Sequence, residues 1–376
     1  MRKRLLSEVD ELTAAWMFAV QGLPQAEIAG LLGVSAPVIS RVLKRLERQQ
    51  YFAREWRFNE ANVDPAVLER VRERVEGRPL AERLARITQR RHGRNGPTLS
   101  VLPAAAARDA DGGLASFSLR AAPIVARLVA RSRVWGVTWG RMLLNVAQAL
   151  PKVGLPATMA KDIEVVPLAG EPLGQEPNRS SSSTLASEFG RLVRGEKYHA
   201  PSLTMVPALI PRDFKAAEQA VVWKLVQRLP DYTRILGSSR SGEIDGTVAG
   251  RVDFILTSIG REPLGFLRGS LLEAREQQLF VGDIGGVLLP REDLTDAQSR
   301  AAQAIADRWT GLQRAHLERC ALRAARTDGP PGVTVISTGA DRAPVLATLV
   351  REGLVNHLII DTALERALEQ ELESEG

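Results

Sequence analysis

The stretch from Gln25 to Arg48, QAEIAGLLGVSAPVISRVLKRLER, leaves the chain little local choice. Gln25 to Leu32 reads as a short helix, with the small residue Ala29 where a second helix must cross closely. Gly33 ends it, Val34 turns inward, Ser35 suits an N-cap, and Pro37 falls in the first turn of a new helix, where a missing N–H costs nothing. Ile39, Val42, Leu43 and Leu46 recur at i, i+3, i+4 and i+7 and give the second helix a buried stripe, while Ser40, Arg41, Lys44 and Arg48 point the other way. No Asp or Glu lies between Glu27 and Glu47, so the outward face carries nothing that repels phosphate. Two helices joined by a three-residue turn containing Gly make a helix-turn-helix, whose second helix enters the major groove of DNA. The alternative, an ordinary helical hairpin with a solvated basic face, is disfavoured because the small residue, the Gly and the N-cap all fall in place together.

On this reading Ser35, Ala36, Pro37, Ser40 and Arg41 lie nearest the bases, Gln25 opens the first helix of the motif at the DNA, and Lys44, Arg45 and Arg48 serve phosphates. Ser7 to Val20 is expected to form a bracing helix with an apolar side of Leu12, Ala15, Trp16, Ala19 and Val20. Tyr51 to Phe58 mixes aromatics with Arg in a way that fits a short hairpin or wing, or a cover for the helices.

Charge supports a division of labour. Residues 1 to 100 hold 18 Lys and Arg against 12 Asp and Glu, whereas the remainder has 32 of each, so the whole net charge of +6 belongs to the first quarter. A basic N-terminal module beside a neutral body points to nucleic acid for the one and a different partner for the other. Between them, Arg70, Arg72, Arg74, Arg83, Arg86 and Arg90 alternate with Glu69, Glu73, Glu76 and Glu82 in a charged helical connector broken near Gly77 and Pro79, its face read as solvated. Gly93 to Pro97 is expected to be a hinge. The single cysteine, Cys320, and four scattered histidines give neither a disulfide framework nor metal-ligand spacing, so no metal and no cofactor is expected. With no apolar signal core and no run approaching the ~18 apolar residues of a membrane span, a cytoplasmic protein is expected.

After the hinge the pattern alternates. TLSVLP reads as a strand, followed by a helix at 119–131, a strand at Val134 to Val137, a helix at 141–150 and a strand at Ile163 to Pro167. Further strands are expected at Arg251 to Ser258, Leu279 to Val281, Val333 to Ser337 and Leu358 to Asp361, with a strong helix from Ile305 to Arg326. Such alternation argues for a parallel α/β sheet. Glu171 to Ser183, EPLGQEPNRSSSS, reads as a polar loop long enough to close over a ligand. Two segments pass from a strand into a helix, Gly136 to Arg141 and Gly339 to Arg342, and their backbone N–H groups can face an anion at the positive helix end. Asp283 stands between glycines in VGDIGG, suited to accepting hydrogen bonds from sugar hydroxyls or to capping its own turn.

The ordered segments LPQAEIAGLLGVSAPVISRVLKR, VWGVTWGRML, HAPSL, LTSIG, FVGDIGG and STGADRAPVLATLVREGLVNHLIIDTALERAL resemble the SorC family of bacterial transcriptional regulators. The resemblance implies a (winged) helix-turn-helix domain at 1–60, a helical linker at 61–95, and a Rossmann-like α/β effector domain at 96–376, similar to sugar-phosphate isomerases and deaminases. It further implies that the loop from Thr138 to Met142, with Trp139, Gly140 and Arg141, cradles a phosphate, that Asp283 binds sugar hydroxyls, and that Gly339 and Arg342 meet the phosphate or sugar. The chain departs from the family in carrying Met142 where a small hydroxyl residue is common, Thr338 where Gly is usual, the bulky Trp139, and Arg342 in place of a Lys. The implied function is operator binding controlled by a sugar phosphate or a related sugar or polyol, by a homodimer or homotetramer on double-stranded DNA. The competing expectation is an isomerase-like or deaminase-like enzyme with an appended DNA-binding module, since fold alone does not decide between them.

Overall fold

The N-terminal head is built by local rules. In the computed structural model, which describes residues 6–19, 23–49, 51, 63–64, 67, 78–103, 110–155, 162–171, 179–237, 246–261, 272–326 and 329–373, helix α1 (Glu8–Ala19) starts with a capping box. The Ser7 N–H donates to the Asp10 carboxylate at 3.1 Å and the Asp10 N–H returns a bond to the Ser7 hydroxyl at 3.2 Å. Helix α2 (Gln25–Leu32) ends as expected at Gly33, whose φ of +66° only glycine adopts cheaply. There the Val34 N–H reaches the Ala29 carbonyl at 2.9 Å and the Gly33 N–H the Gly30 carbonyl at 3.3 Å, a Schellman arrangement. Helix α3 (Ala36–Arg48) leaves this turn at 107° to α2, within the range of helix-turn-helix pairs. The three helices close on Leu12, Ala15, Ile28, Ala29, Leu32, Ile39, Val42, Leu43 and Leu46, with Val63 and Val67 joining them.

One local expectation fails. Ser35 occupies the N-cap position but its side chain makes no capping bond. Pro37 removes one of the two N–H groups such a side chain could serve, and the other, from Val38, donates to the Ser35 carbonyl at 2.9 Å. The hairpin or wing expected over Phe52 to Phe58, and the charged residues from Glu69 to Gly77, lie outside the described residues.

The body is a six-stranded sheet in which every pairing is parallel. In chain order its strands are β1 (Thr98–Leu102), β2 (Val134–Val137), β3 (Glu164–Pro167), β4 (Phe254–Thr257), β8 (Gly332–Ser337) and β9 (His357–Asp361), and in space they run β1-β9-β8-β4-β2-β3. Alternating residues face two separate cores, because successive side chains of a strand point to opposite sides. Trp135, Val137, Phe254, Leu256 and Ile336 pack on one face against α5 (Ala110–Val129), α6 (Arg141–Val153) and α7 (Ser182–Arg194), through Phe117, Val125, Leu143, Val146, Leu185 and Phe189. Val134, Ile255, Val333, Val335, Leu358 and Ile360 pack on the other, against α8 (Ala216–Val226), α9 (Pro230–Leu236), α13 (Arg314–Ala324), α14 (Ala343–Arg351) and α15 (Thr362–Glu373). A sheet covered on both sides explains why its strands read as continuous apolar runs.

Helix α4 (Arg78–His92), from the second half of the connector, also packs on that face. Leu80 and Leu84 are fully buried there, His92 Nε2 lies 2.7 Å from the Arg351 carbonyl oxygen, and Arg83 donates to the Glu369 carbonyl at 3.3 Å. The single long helix expected from Ile305 to Arg326 is two helices. Between α12 (Asp296–Ala306) and α13, Trp309 turns inward and its indole N–H donates to the Leu312 carbonyl at 2.9 Å, which holds residues 309–313 out of helical register. A short antiparallel sheet of β5 (Ile259–Gly260), β6 (Phe280–Ile284) and β7 (Val287–Pro290) stands beside the main one, and the one-turn helices α10 (Val248–Arg251) and α11 (Ala274–Gln277) precede β4 and β6. Head and body meet where Arg120 of α5 donates to both oxygens of Glu27 on α2, at 3.1 and 3.3 Å, and to the Pro103 carbonyl at 2.8 Å.

Candidate functional site

Two regions gather the residues singled out by sequence. On the head, Ser35, Pro37, Arg41, Lys44, Arg45 and Arg48 are exposed and Gln25, Ala36 and Ser40 are half-buried. Pro37, Arg41, Lys44 and Arg48 recur at helical spacing on the face of α3 opposite its core stripe, so the helix presents three cations along one line. Arg41 Nε donates to the Pro37 carbonyl at 3.3 Å, which holds the guanidinium along the first turns of the helix. Arg45 is tied to the bracing helix by an ion pair with Glu11, and Lys44 and Arg48 stand exposed outside that pair.

The second region lies at the carboxyl end of the sheet. The connection leaving β2 runs to β3 on one side, while the connection leaving β4 runs toward β8 on the other, so the crevice between β2 and β4 is a topological switch point, where α/β sheets open to ligands. The Thr138 hydroxyl donates across it to Thr257 Oγ1 at 2.9 Å, and the Thr257 hydroxyl donates to the Ser258 carbonyl at 3.1 Å. Thr138 and Trp139 are themselves buried, the indole of Trp139 standing edge-on to Trp309 at 5.0 Å. Gly140 and Arg141 therefore form the outer part of this loop: Gly140, at φ +129°, ends the loop and Arg141 opens α6 with an exposed side chain. Met142 points into the sheet side of α6, where the Ser118 hydroxyl meets its sulfur at 3.5 Å.

The hairpin of β6 and β7 closes over this crevice. Its turn residues Gly285 and Gly286 both have positive φ, and a side chain at Gly285 would run into Thr138 and Thr257. Asp283 is buried, and its Oδ1 accepts from the Gly286 N–H at 3.0 Å, so the carboxylate caps its own turn. Gly339 and Arg342 lie past the end of β8, two strand spacings or roughly 10 Å from β2. The Gly339 N–H is taken by the Asp361 carboxylate at 3.2 and 3.3 Å, and Arg342 donates to the Thr338 carbonyl at 2.6 Å. A cavity of about 480 Å³ beside this loop is lined by Arg261, Asp341, Gln370 and Glu371 among others. The structure thus brings Thr138, Gly140 and Arg141 together with the Asp283 hairpin, and sets Gly339 and Arg342 apart across β4.

Four consecutive serines, read as part of a loop, turn out to be buried at the start of α7. Ser181 caps that helix through the Thr184 N–H at 3.2 Å. Ser182 donates to the Val137 carbonyl at 2.6 Å and accepts from the Leu168 N–H at 2.9 Å, clamping the ends of β2 and β3. The Ser180 carbonyl accepts the Gly140 N–H at 3.0 Å, so the starts of α6 and α7 flank one crevice. Glu171 joins them: burial pushes its carboxyl pKa up, while the neighbouring Ser181 and Ser183 pull it down. The apolar spacing of Leu185, Phe189 and Val193 after the serines was the signal for this helix. Residues 172–178 of the same segment lie outside the described residues. Among the described residues no group of three or more His, Cys, Asp or Glu is placed to hold a metal ion, and no single helix is long and apolar enough to cross a membrane.

No protein-family model and no curated protein matches the chain. Solved structures do. The full-length sorbitol operon regulator SorC from Klebsiella pneumoniae superposes with a TM-score of 0.50 at 18% identity, covering 96% of this chain and 99% of that one. A domain of a possible sugar-binding transcriptional regulator from Arthrobacter aurescens TC1 gives a TM-score of 0.53 at 21% identity over 77% of this chain and 97% of that one. At these identities the likeness is one of fold.

Proposed function

We propose that the chain is a SorC-type transcriptional regulator that binds operator DNA through its N-terminal head and is controlled by a carbohydrate-type effector in the crevice between β2 and β4. The observation that carries this reading is the pairing, in one chain, of a helix-turn-helix with an acid-free outward face and a doubly covered parallel sheet, an arrangement that superposes from end to end on a sorbitol operon regulator. We take 1–60 as a winged head, 61–95 as a linker whose second half, α4, lies against the body, and 96–376 as an isomerase-like Rossmann effector domain. Ser35, Ala36, Pro37, Ser40 and Arg41 read bases and Lys44 and Arg48 grip phosphates. Thr138, Gly140, Arg141 and the Asp283 hairpin frame the effector.

One recognition helix per chain calls for a homodimer or homotetramer on a palindromic operator, in the cytoplasm where the chromosome is. An effector with unequal affinity for two arrangements of the body shifts the spacing of the heads and so the operator affinity. We read the body as a sensor and not as an isomerase, so sugar phosphates incubated with the protein remain unchanged. The test on the DNA side is Arg41→Ala. A loss of ~1 to 3 kcal/mol confined to one base pair of the operator fits a bidentate guanine contact, whereas an equal loss on every sequence makes Arg41 a backbone contact.

A further inference from the structure

The carboxyl of Glu171 stands at the start of α7, which flanks the crevice, yet nothing in the reading so far uses it. Its backbone is locked on both sides, the N–H donating to the Val206 carbonyl and the carbonyl accepting from the Ala208 N–H, each at 2.7 Å. A side chain on so fixed a backbone is held in place. One part of the carboxyl lies against Ser181 and Ser183 at the start of α7, close enough for both to pull its pKa down against burial. Its other oxygen, Oε1, is buried with no hydrogen-bond partner among the described residues. A carboxylate has about four acceptor positions and no donor, and a buried acceptor left unfilled is costly enough that proteins rarely keep one without a use.

We propose that Glu171 is a specificity-determining residue of the effector crevice, accepting a hydrogen bond from a hydroxyl of a neutral sugar or polyol and selecting it over the corresponding phosphate ester. This rests on the reading of the crevice as the effector site. The chemistry is one of complementarity. A polyol brings O–H donors to an acceptor that lacks one. A phosphate brings only acceptors and negative charge to a place already holding a carboxylate. The positive end of α7, which otherwise attracts an anion, is already neutralised by the protein's own Glu171. Burial is the larger influence on the carboxyl and pushes its pKa up, against the pull of Ser181 and Ser183.

The experiment is a thermal-shift and calorimetric comparison on the full chain, with sorbitol, mannitol, glucose and fructose each set against its 6-phosphate. It is run on wild type, Glu171→Gln and Glu171→Ala. The expected result is that at least one unphosphorylated member stabilises wild type more than its phosphate does, and that both variants, still folded, lower this preference at least tenfold. If only the phosphates bind wild type, or if the preference survives in both variants, the assignment of Glu171 is wrong while a carbohydrate effector stands. If no member of either set binds, the carbohydrate reading of the crevice falls and the inference falls with it. Should both variants fail to fold, the preference of wild type between each sugar and its phosphate still decides.

Discussion

Glu27→Gln tests how the head is held on the body. The Arg120 side chain is 3% exposed and that of Glu27 21%, so the pair is nearly dry on one side and partly wet on the other. Removing one partner of a fully buried pair costs roughly 3–5 kcal/mol, and of an exposed one less than about 1. Arg120 keeps its bonds to the Pro103 carbonyl and the Ser116 hydroxyl in the variant, which offsets part of the loss. The cost should therefore fall at about 2 kcal/mol, a change of roughly thirtyfold in the ratio of docked to undocked heads. The assay is a pulsed spin-label distance measurement between Gln49→Cys on the head and Ala301→Cys on the body, both exposed positions. The one native thiol, Cys320, is buried with its pKa pushed up by desolvation and will not label. A narrow distance distribution that broadens on Glu27→Gln is the expected outcome, and an unchanged distribution would refute the argument. The consequence reaches the crevice, because α5 carries Arg120 toward the head and Ser118 against Met142 at the start of α6.

Three further outcomes can be checked on the purified protein. Leu43→Ala empties part of the head core at a cost of ~2–5 kcal/mol, and should abolish operator binding while the melting transition of the body stays where it was. Gly286→Ala drives a side chain into the Trp309 indole at a φ of +95°, so the melting temperature of the body should fall by several degrees and effector binding with it. His316 and His357 are held neutral by burial, each pulled down to about 4 from 6.5. Because the unfolded chain takes up those protons first, stability is fully present above pH 6.5 and declines as the pH falls toward 4, by up to ~3 kcal/mol per group. Replacing either His by Gln should flatten that part of the stability–pH curve, and a curve of unchanged slope would contradict the assignment.

The head was legible because its signals are local. A glycine that needs positive φ, a proline at a helix start and a four-residue apolar stripe each act within one or two turns, and α2, Gly33 and α3 fall where those rules put them. The sheet was legible for a related reason: strands buried on both faces are apolar throughout, and Val134–Val137 and Gly332–Ser337 need no alternation to be seen. What the sequence hid was set by distant partners. Ser182 looks like loop until the ends of β2 and β3 are both present to bond its hydroxyl. Trp309 breaks an apparently continuous helical pattern because its indole finds Leu312 and Trp139 instead. Nor does the sequence show that Thr138 and Trp139 are buried or that Asp283 bonds its own turn, and Glu171 carried no sequence signal as a site residue at all.

Operator recognition and effector control can be read in one experiment: binding sites for the full chain are selected from a pool of random DNA duplexes at physiological salt, and the winning site is titrated with and without the sugars and sugar phosphates named above. A palindromic site with half-sites a helical turn or more apart should emerge, and its affinity should change at saturating carbohydrate. A pool that gains no sequence preference and binds only through salt-sensitive backbone contacts, or a selected site whose affinity no carbohydrate alters, would contradict it.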